Sequence, residues 1–184
     1  MNVMRRDDMK IQNITGKSTE QKVRDCFKST GLEAEKPRRD LGVDLEVWLP
    51  SNPEKKVFIQ IKGRGIIQKN KRYRWFQIRT TQKQRDESVK AGLSISDAWK
   101  KKVDLCHFFV LVSEKHEELW VFPSGIIHEI ININKRKYGN REDNISGKQA
   151  EMDLDIEYDG KKLTEIYGAY KNNFALIIEK LKTA

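Results

Sequence analysis

Asp44, Glu46, Gln60 and Lys62 are the residues whose types and spacing could do chemistry. They lie in a stretch that reads Gly-Val-Asp-Leu-Glu-Val-Trp-Leu from Gly42, breaks at Pro50-Ser51-Asn52-Pro53, and resumes as Lys-Val-Phe-Ile-Gln-Ile-Lys-Gly from Lys56. Both halves alternate with a period of two, the pattern of a strand. Val43, Leu45, Val47 and Leu49 form one row, and Asp44, Glu46 and Trp48 the other. Val57, Ile59 and Ile61 alternate in the same way with Phe58, Gln60 and Lys62. Two prolines and an Asn around Ser51 predict a turn. A hairpin of strands 43–49 and 56–62 would then bury the aliphatic rows and set Asp44 and Glu46 beside Gln60 and Lys62. A carboxylate and an amide oxygen can hold a hard divalent cation. A lysine two residues along the same face can stabilise negative charge on a phosphate oxygen, or orient or deprotonate a water. Such a set suits the hydrolysis of phosphodiesters.

The neighbouring segments would position this hairpin. Ser18 or Thr19 can cap a helix whose apolar stripe is Val23, Cys26 and Phe27, and Gly31 stands where that helix would stop. Glu20 falls in its first turn, where a carboxylate complements the helix dipole. Residues 32–40 predict a short strand and a basic turn, with Arg38 and Arg39 just ahead of the hairpin, where a phosphate would approach. From Arg64 to Lys90 there are nine Lys and Arg residues against two acids. Arg64, Lys71, Arg72, Arg74 and Arg79 are candidate phosphate contacts, since basic side chains release counterions from nucleic acid. Residues 72–79 predict a strand with Arg72 and Arg74 on one face and Tyr73 and Trp75 on the other. Gln77, Gln82 and Gln84 are of a type that can read base edges.

The pattern Asp44-x(15)-Gln60-x-Lys62, with its Gly-Val-Asp lead-in, the aliphatic strand ending in Gln-Ile-Lys and the preceding helix, resembles the PD-(D/E)xK nuclease superfamily in its variant with Gln for Glu. The resemblance covers residues 18–112. It departs at Val43, where that family has Pro, and at Gln60. It implies a restriction-endonuclease-like fold and a Mg2+-dependent DNA endonuclease of restriction type. Asp44, Gln60 and the main-chain carbonyl of Ile61 would hold the metal with Glu20, a helix carboxylate common in that family, or with Glu46 in its place. Lys62 would position or activate the water, leaving 5′-phosphate and 3′-hydroxyl ends. One site cuts one strand, so a double-strand cut calls for a second subunit. That would be another copy, or a large recognition subunit if this chain is the small cleavage subunit of a heterodimeric type IIS enzyme. A junction-resolvase-like nuclease and a non-catalytic DNA-binding module of the same fold are the alternatives. A basic adaptor that binds proteins is a third.

The remaining composition agrees with a nucleic-acid partner. The 184-residue chain carries net charge +9, an excess that favours polyanions such as double-stranded DNA. No run is long enough to span a membrane, and the polar start has no signal-peptide core, so a cytoplasmic protein is expected. Cys26 and Cys106 are far apart and read as small reduced hydrophobes. One domain over 1–184 is expected, with a loose arm at 1–16, a core at 18–122 and an extension at 123–184. Further predicted elements are a helix over 80–102 broken near Gly92, strands 105–112 and 118–122, a helix from Ile126 into Lys135-Arg136-Lys137, a loop at 139–149, a strand at 151–159 with a solvated acidic face, and a terminal helix over 163–181 with Ile166 inward. His107 is expected in the core. Helices interleaved with strands give an α/β class, a central mixed sheet flanked by helices.

Overall fold

The computed structural model describes residues 18–38, 42–65 and 71–183. Helix α1 (Thr19–Ser29) starts at Ser18, whose hydroxyl accepts the Gln21 N–H, and the chain turns out of it at Gly31 with φ +80°. Strands β1 (Glu33–Glu35), β2 (Leu45–Leu49) and β3 (Asn52–Arg64) follow, then β4 (Trp75–Arg79) and the helices α2 (Gln82–Lys90) and α3 (Trp99–Asp104). Next come β5 (Phe108–Ser113), β6 (Glu118–Pro123), α4 (Ser124–Tyr138), α5 (Glu142–Ile145) and β7 (Gln149–Asp153). A small hairpin, β8 (Glu157–Tyr158) and β9 (Lys161–Lys162), precedes α6 (Leu163–Ile166) and α7 (Ala175–Thr183).

The central sheet has the order β1-β2-β3-β5-β6. Only β3 and β5 run parallel; a parallel pair needs a crossover, which β4, α2 and α3 supply. β5 is buried along its whole length, as a strand covered on both faces must be. On one face Val23 and Phe27 of α1 and Ile177 and Leu181 of α7 pack with Ile59, Ile61 and Val110. On the other, Trp99 and Val103 of α3 and Ile127, Ile130 and Ile131 of α4 pack with Phe109, Leu111 and Phe122. The expected α/β class, a mixed central sheet flanked by helices, is therefore the observed architecture.

Four local expectations need correction. The alternating run 151–159 is not one strand with a solvated acidic face: β7 ends at Asp153, and Glu151 and Asp153 are only 2% and 6% exposed. Arg141 bridges Glu151 and Arg72 bridges Asp153, which is what buried carboxylates require. The terminal helix is interrupted, because Asn172 adopts φ +51° and bonds Leu119 through both its backbone N–H and its side-chain oxygen. With the Lys171–Trp120 bridge, this segment covers part of the open edge of β6. Ile166 is consequently 41% exposed. His107 is exposed just before β5, its Nδ1 accepting the Phe58 N–H. Within the expected loop at 139–149 lies α5.

Candidate active site

The hairpin of β2 and β3 forms as the alternation requires, with Leu45 opposite Ile59 and Glu46 opposite Phe58. Pro53 lies inside β3, so the turn is tighter than the two prolines suggest. Asp44 immediately precedes β2, and its N–H donates to the Ile59 carbonyl at 2.9 Å. Gly42, two residues earlier, sits at φ +74°, a conformation that suits glycine. Asp44 Oδ2 accepts the Ile61 backbone N–H at 2.6 Å and the Gln60 side-chain amide. Gln60 is 4% exposed, and its own oxygen, Oε1, has no hydrogen-bond partner. Such an atom calls for an explanation, because a buried carbonyl without a partner costs about 1–3 kcal/mol.

Lys62 follows on the same face, half-buried. Burial pushes its ammonium below the ordinary lysine range. Asp44 opposes that shift, while the nearby Lys102 adds to it. Cys106 belongs to the same neighbourhood: burial and the Asp44 charge push its thiol up to about 12, so it stays protonated and is no nucleophile. Cys26 is likewise a free thiol, half-buried on α1. Sequence reasoning missed Lys102 and Cys106, because both reach the site through the α3 crossover and carry no local signal.

Asp44, Gln60, Ile61 and Lys62 thus come together. Glu20 and Glu46 are engaged elsewhere. Glu20 pairs with Lys36 at 3.2 Å, on a helix packed against the face opposite Gln60 and Lys62. There Thr19 abuts Gly63, where a Cβ would lie 2.7 Å from the Thr19 hydroxyl. Glu46 pairs with Lys56 at 2.7 Å. Among the described residues no group of three or more His, Cys, Asp or Glu side chains could hold a metal.

The basic residues divide. Arg38 is exposed; Arg39 lies outside the described residues. Lys71 is exposed. Arg64 donates to the Trp75 carbonyl and stacks on that indole at 4.7 Å, and Arg72 covers the same ring at 4.2 Å. Arg74 is held by Glu118 and Asp155 at 2.6 and 2.9 Å. Arg79 is exposed. Arg85 of the same run is buried, bonding the Thr80 carbonyl and Gln82. Gln84 completes the capping box of α2 with Thr81, leaving Gln77 of the three glutamines on a strand. That strand, β4, begins at Trp75 and joins β7 in a separate two-stranded ribbon. The expected strand faces at 72–75 are therefore not formed.

No protein-family model and no curated protein matches this chain. Among solved structures, a bacterial homing endonuclease, I-Ssp6803I, aligns over 86% of this chain and 83% of its own, with a TM-score of 0.42 and 16% identity. No helix among the described residues is long and apolar enough to cross a membrane.

Proposed function

We propose that this protein is a divalent-metal-dependent nuclease of the PD-(D/E)xK type that hydrolyses DNA at Asp44, Gln60 and Lys62. The observation that carries the reading is the Gln60 side-chain amide held on the Asp44 carboxylate, its Oε1 buried without a partner, with Lys62 next along the same face. The residues fit a Mg2+ ion. Mg2+ binds through one or two carboxylates, keeps several waters and takes substrate phosphate oxygens, so Asp44 would be its carboxylate, joined by the Ile61 carbonyl and by Gln60 Oε1 once the amide turns. Bound there, the ion would polarise the phosphodiester and acidify a water.

The chain's own part follows from the geometry. The Ile61 N–H fixes the Asp44 carboxylate through Oδ2, leaving Oδ1 outside that bond. Gln60 must turn its amide so that oxygen, not nitrogen, faces Asp44. Lys62 as its ammonium holds a non-bridging phosphate oxygen and orients the attacking water; only its neutral amine, a form that burial favours, takes up that water's proton. In-line attack then leaves 5′-phosphate and 3′-hydroxyl ends. Each site cuts one strand, and a second copy or a larger recognition subunit would supply the other cut. Glu20 or Glu46 would complete the site only by leaving its lysine partner.

A second reading is a DNA-binding module that kept the fold without hydrolysis. It is favoured by the Gln60 amide already lying on Asp44 Oδ2. A supercoiled-plasmid assay with Mg2+ or Mn2+ separates the two. Nicking by the wild type that is absent in Asp44→Ala supports the nuclease, whereas DNA binding without nicking in any metal supports the module.

A further inference from the structure

The β4–β7 ribbon presents a face that the hydrolytic site does not use. In its register Trp75 lies opposite Asp153, Gln77 opposite Glu151 and Arg79 opposite Gln149. Paired residues share a face, so these six side chains stand together. Phe76, Ile78, Ala150 and Met152 occupy the other face and are buried in the core.

A chain of hydrogen bonds crosses this face, from the exposed Arg79 through the half-buried Gln77 and Gln149 to the buried Glu151. Arg79 donates to Gln77 Oε1 at 3.2 Å, Gln77 Nε2 to Gln149 Oε1 at 2.9 Å, and Gln149 Nε2 to Glu151 at 3.4 Å. Arg141 closes it by donating to both Glu151 oxygens at 2.8 and 3.0 Å. Each glutamine amide has two N–H groups and spends one in this chain. The bonds therefore orient both amides while each keeps a donor to offer. The acids of this face, Glu151 and Asp153, are buried and paired, whereas Arg79 is exposed. The charge turned outward is positive, the complement of a nucleic acid.

The ribbon also adjoins the candidate active site at both ends of β4. Arg64, two residues beyond Lys62, donates to the Trp75 carbonyl. Lys102, whose charge reaches Lys62, donates to the Arg79 carbonyl at 3.0 Å. A duplex with a phosphate at Lys62 would have this ribbon beside it. The major groove of B-DNA admits a two-stranded ribbon, and Gln and Arg are the side chains that pair bidentately with adenine and guanine there.

We propose that the β4–β7 ribbon is the sequence-reading element, entering the major groove of duplex DNA with Gln77, Gln149 and Arg79 at the base edges. The proposal takes from the nuclease reading its substrate, duplex DNA, and the place of that duplex at Lys62; its test reads binding separately from cutting. The full chain is used to select sequences from a randomised DNA duplex library without divalent metal, alongside Gln77→Ala, Gln149→Ala and Arg79→Ala, each checked for a wild-type melting temperature. The wild type should enrich a defined sequence. Each glutamine variant should lose discrimination at one base pair by roughly five- to a hundredfold while keeping its affinity for random duplex. An RNA duplex, whose major groove is too deep and narrow to read, should compete poorly. Enrichment of nothing by the wild type, unchanged selection by all three variants, or equal competition by RNA would overturn the proposal. Cutting is then assayed with Mg2+. Selection without cutting overturns only the nuclease reading, and cutting at sites unchanged in the variants overturns only the ribbon's role.

Discussion

Asp44 and Ile61 are joined by a 2.6 Å hydrogen bond from the Ile61 backbone N–H to Asp44 Oδ2. β2 begins only at Leu45, so an aspartate side chain serves an N–H near the end of the β2–β3 ladder. The bond sets the carboxylate in place before any ligand arrives, which is how a rigid element preorganises a site. An asparagine could keep that bond and lose only the charge. Asp44→Asn is therefore expected to melt close to the wild type yet lose all metal-dependent cleavage. Asp44→Ala should lose cleavage and also about 1–3 kcal/mol of stability, from buried donors left unpaired. Equal denaturation midpoints for Asn and Ala would argue against this role for the bond.

Gln60 is the residue that departs from the acidic pattern of such sites. Gln60→Glu places a second carboxylate beside Asp44, so the two repel in the absence of metal. The variant should melt below the wild type in a chelator and gain more than the wild type when Mn2+ is added, because a ligand that binds only the folded state stabilises it. Differential scanning fluorimetry with a Mn2+ titration reads this directly. A Mn2+-independent melting temperature in both proteins would remove Gln60 from the metal site.

Lys62 carries a pH signature. Burial lowers its proton affinity below the ordinary lysine value of 10.5, against the opposing pull of Asp44. Below its folded pKa the lysine is charged in both states, and the folded state bears the burial cost. Between that pKa and 10.5 the unfolded chain binds more protons, so stability rises with pH. Lys62→Met should accordingly be more stable than the wild type at neutral pH, with the difference shrinking as pH climbs toward 10.5. Parallel stability curves over that range would show that the ammonium is not desolvated.

Arg74 ties three segments. It donates twice to Glu118 and once to Asp155, and Lys171 reaches Glu118 at 2.7 Å. Burial alone would raise the Glu118 carboxyl, but the bonds from Arg74 and Lys171 outweigh it and hold the group below the usual carboxylate range. That stability is present above the ordinary value of 4.5 and is lost as pH falls through the folded pKa. Arg74→Ala should cost about 2–3 kcal/mol at neutral pH, because Glu118 stays buried with Lys171 as its remaining partner. The acid limb of the stability curve should flatten as well. An unchanged acid limb would instead place Arg74 outside the fold's electrostatic framework, free for phosphate.

How much of this was legible in the sequence follows the range of the interactions. The β2–β3 hairpin, the Ser18 cap and the approach of Asp44 to Gln60 rest on local alternation and capping chemistry, and all three are present. The β4–β7 ribbon pairs strands some seventy residues apart, and neither strand's pattern names its partner. Glu151 and Asp153 looked solvent-facing because acids alternated with apolar residues. Their partners Arg141 and Arg72 lie elsewhere in the chain, so their burial was invisible. The break in the C-terminal helix had a local sign in Gly168 and Asn172, but its cause is the edge of β6, a tertiary contact. Lys102 and Cys106 join the site only because α3 folds back over the sheet.

The most direct test of the central claim is single-turnover cleavage of an end-labelled DNA duplex in Mg2+ by Lys62→Ala beside the wild type, with binding measured on the same duplex. Wild-type products should end in 5′-phosphate and 3′-hydroxyl. Lys62→Ala should bind within a few-fold of the wild type but cut at least about a hundredfold more slowly, the size expected when a group acting on the transition state is removed. Cleavage by Lys62→Ala at the wild-type rate would contradict that claim, because the hydrolytic centre would then lie elsewhere in the chain.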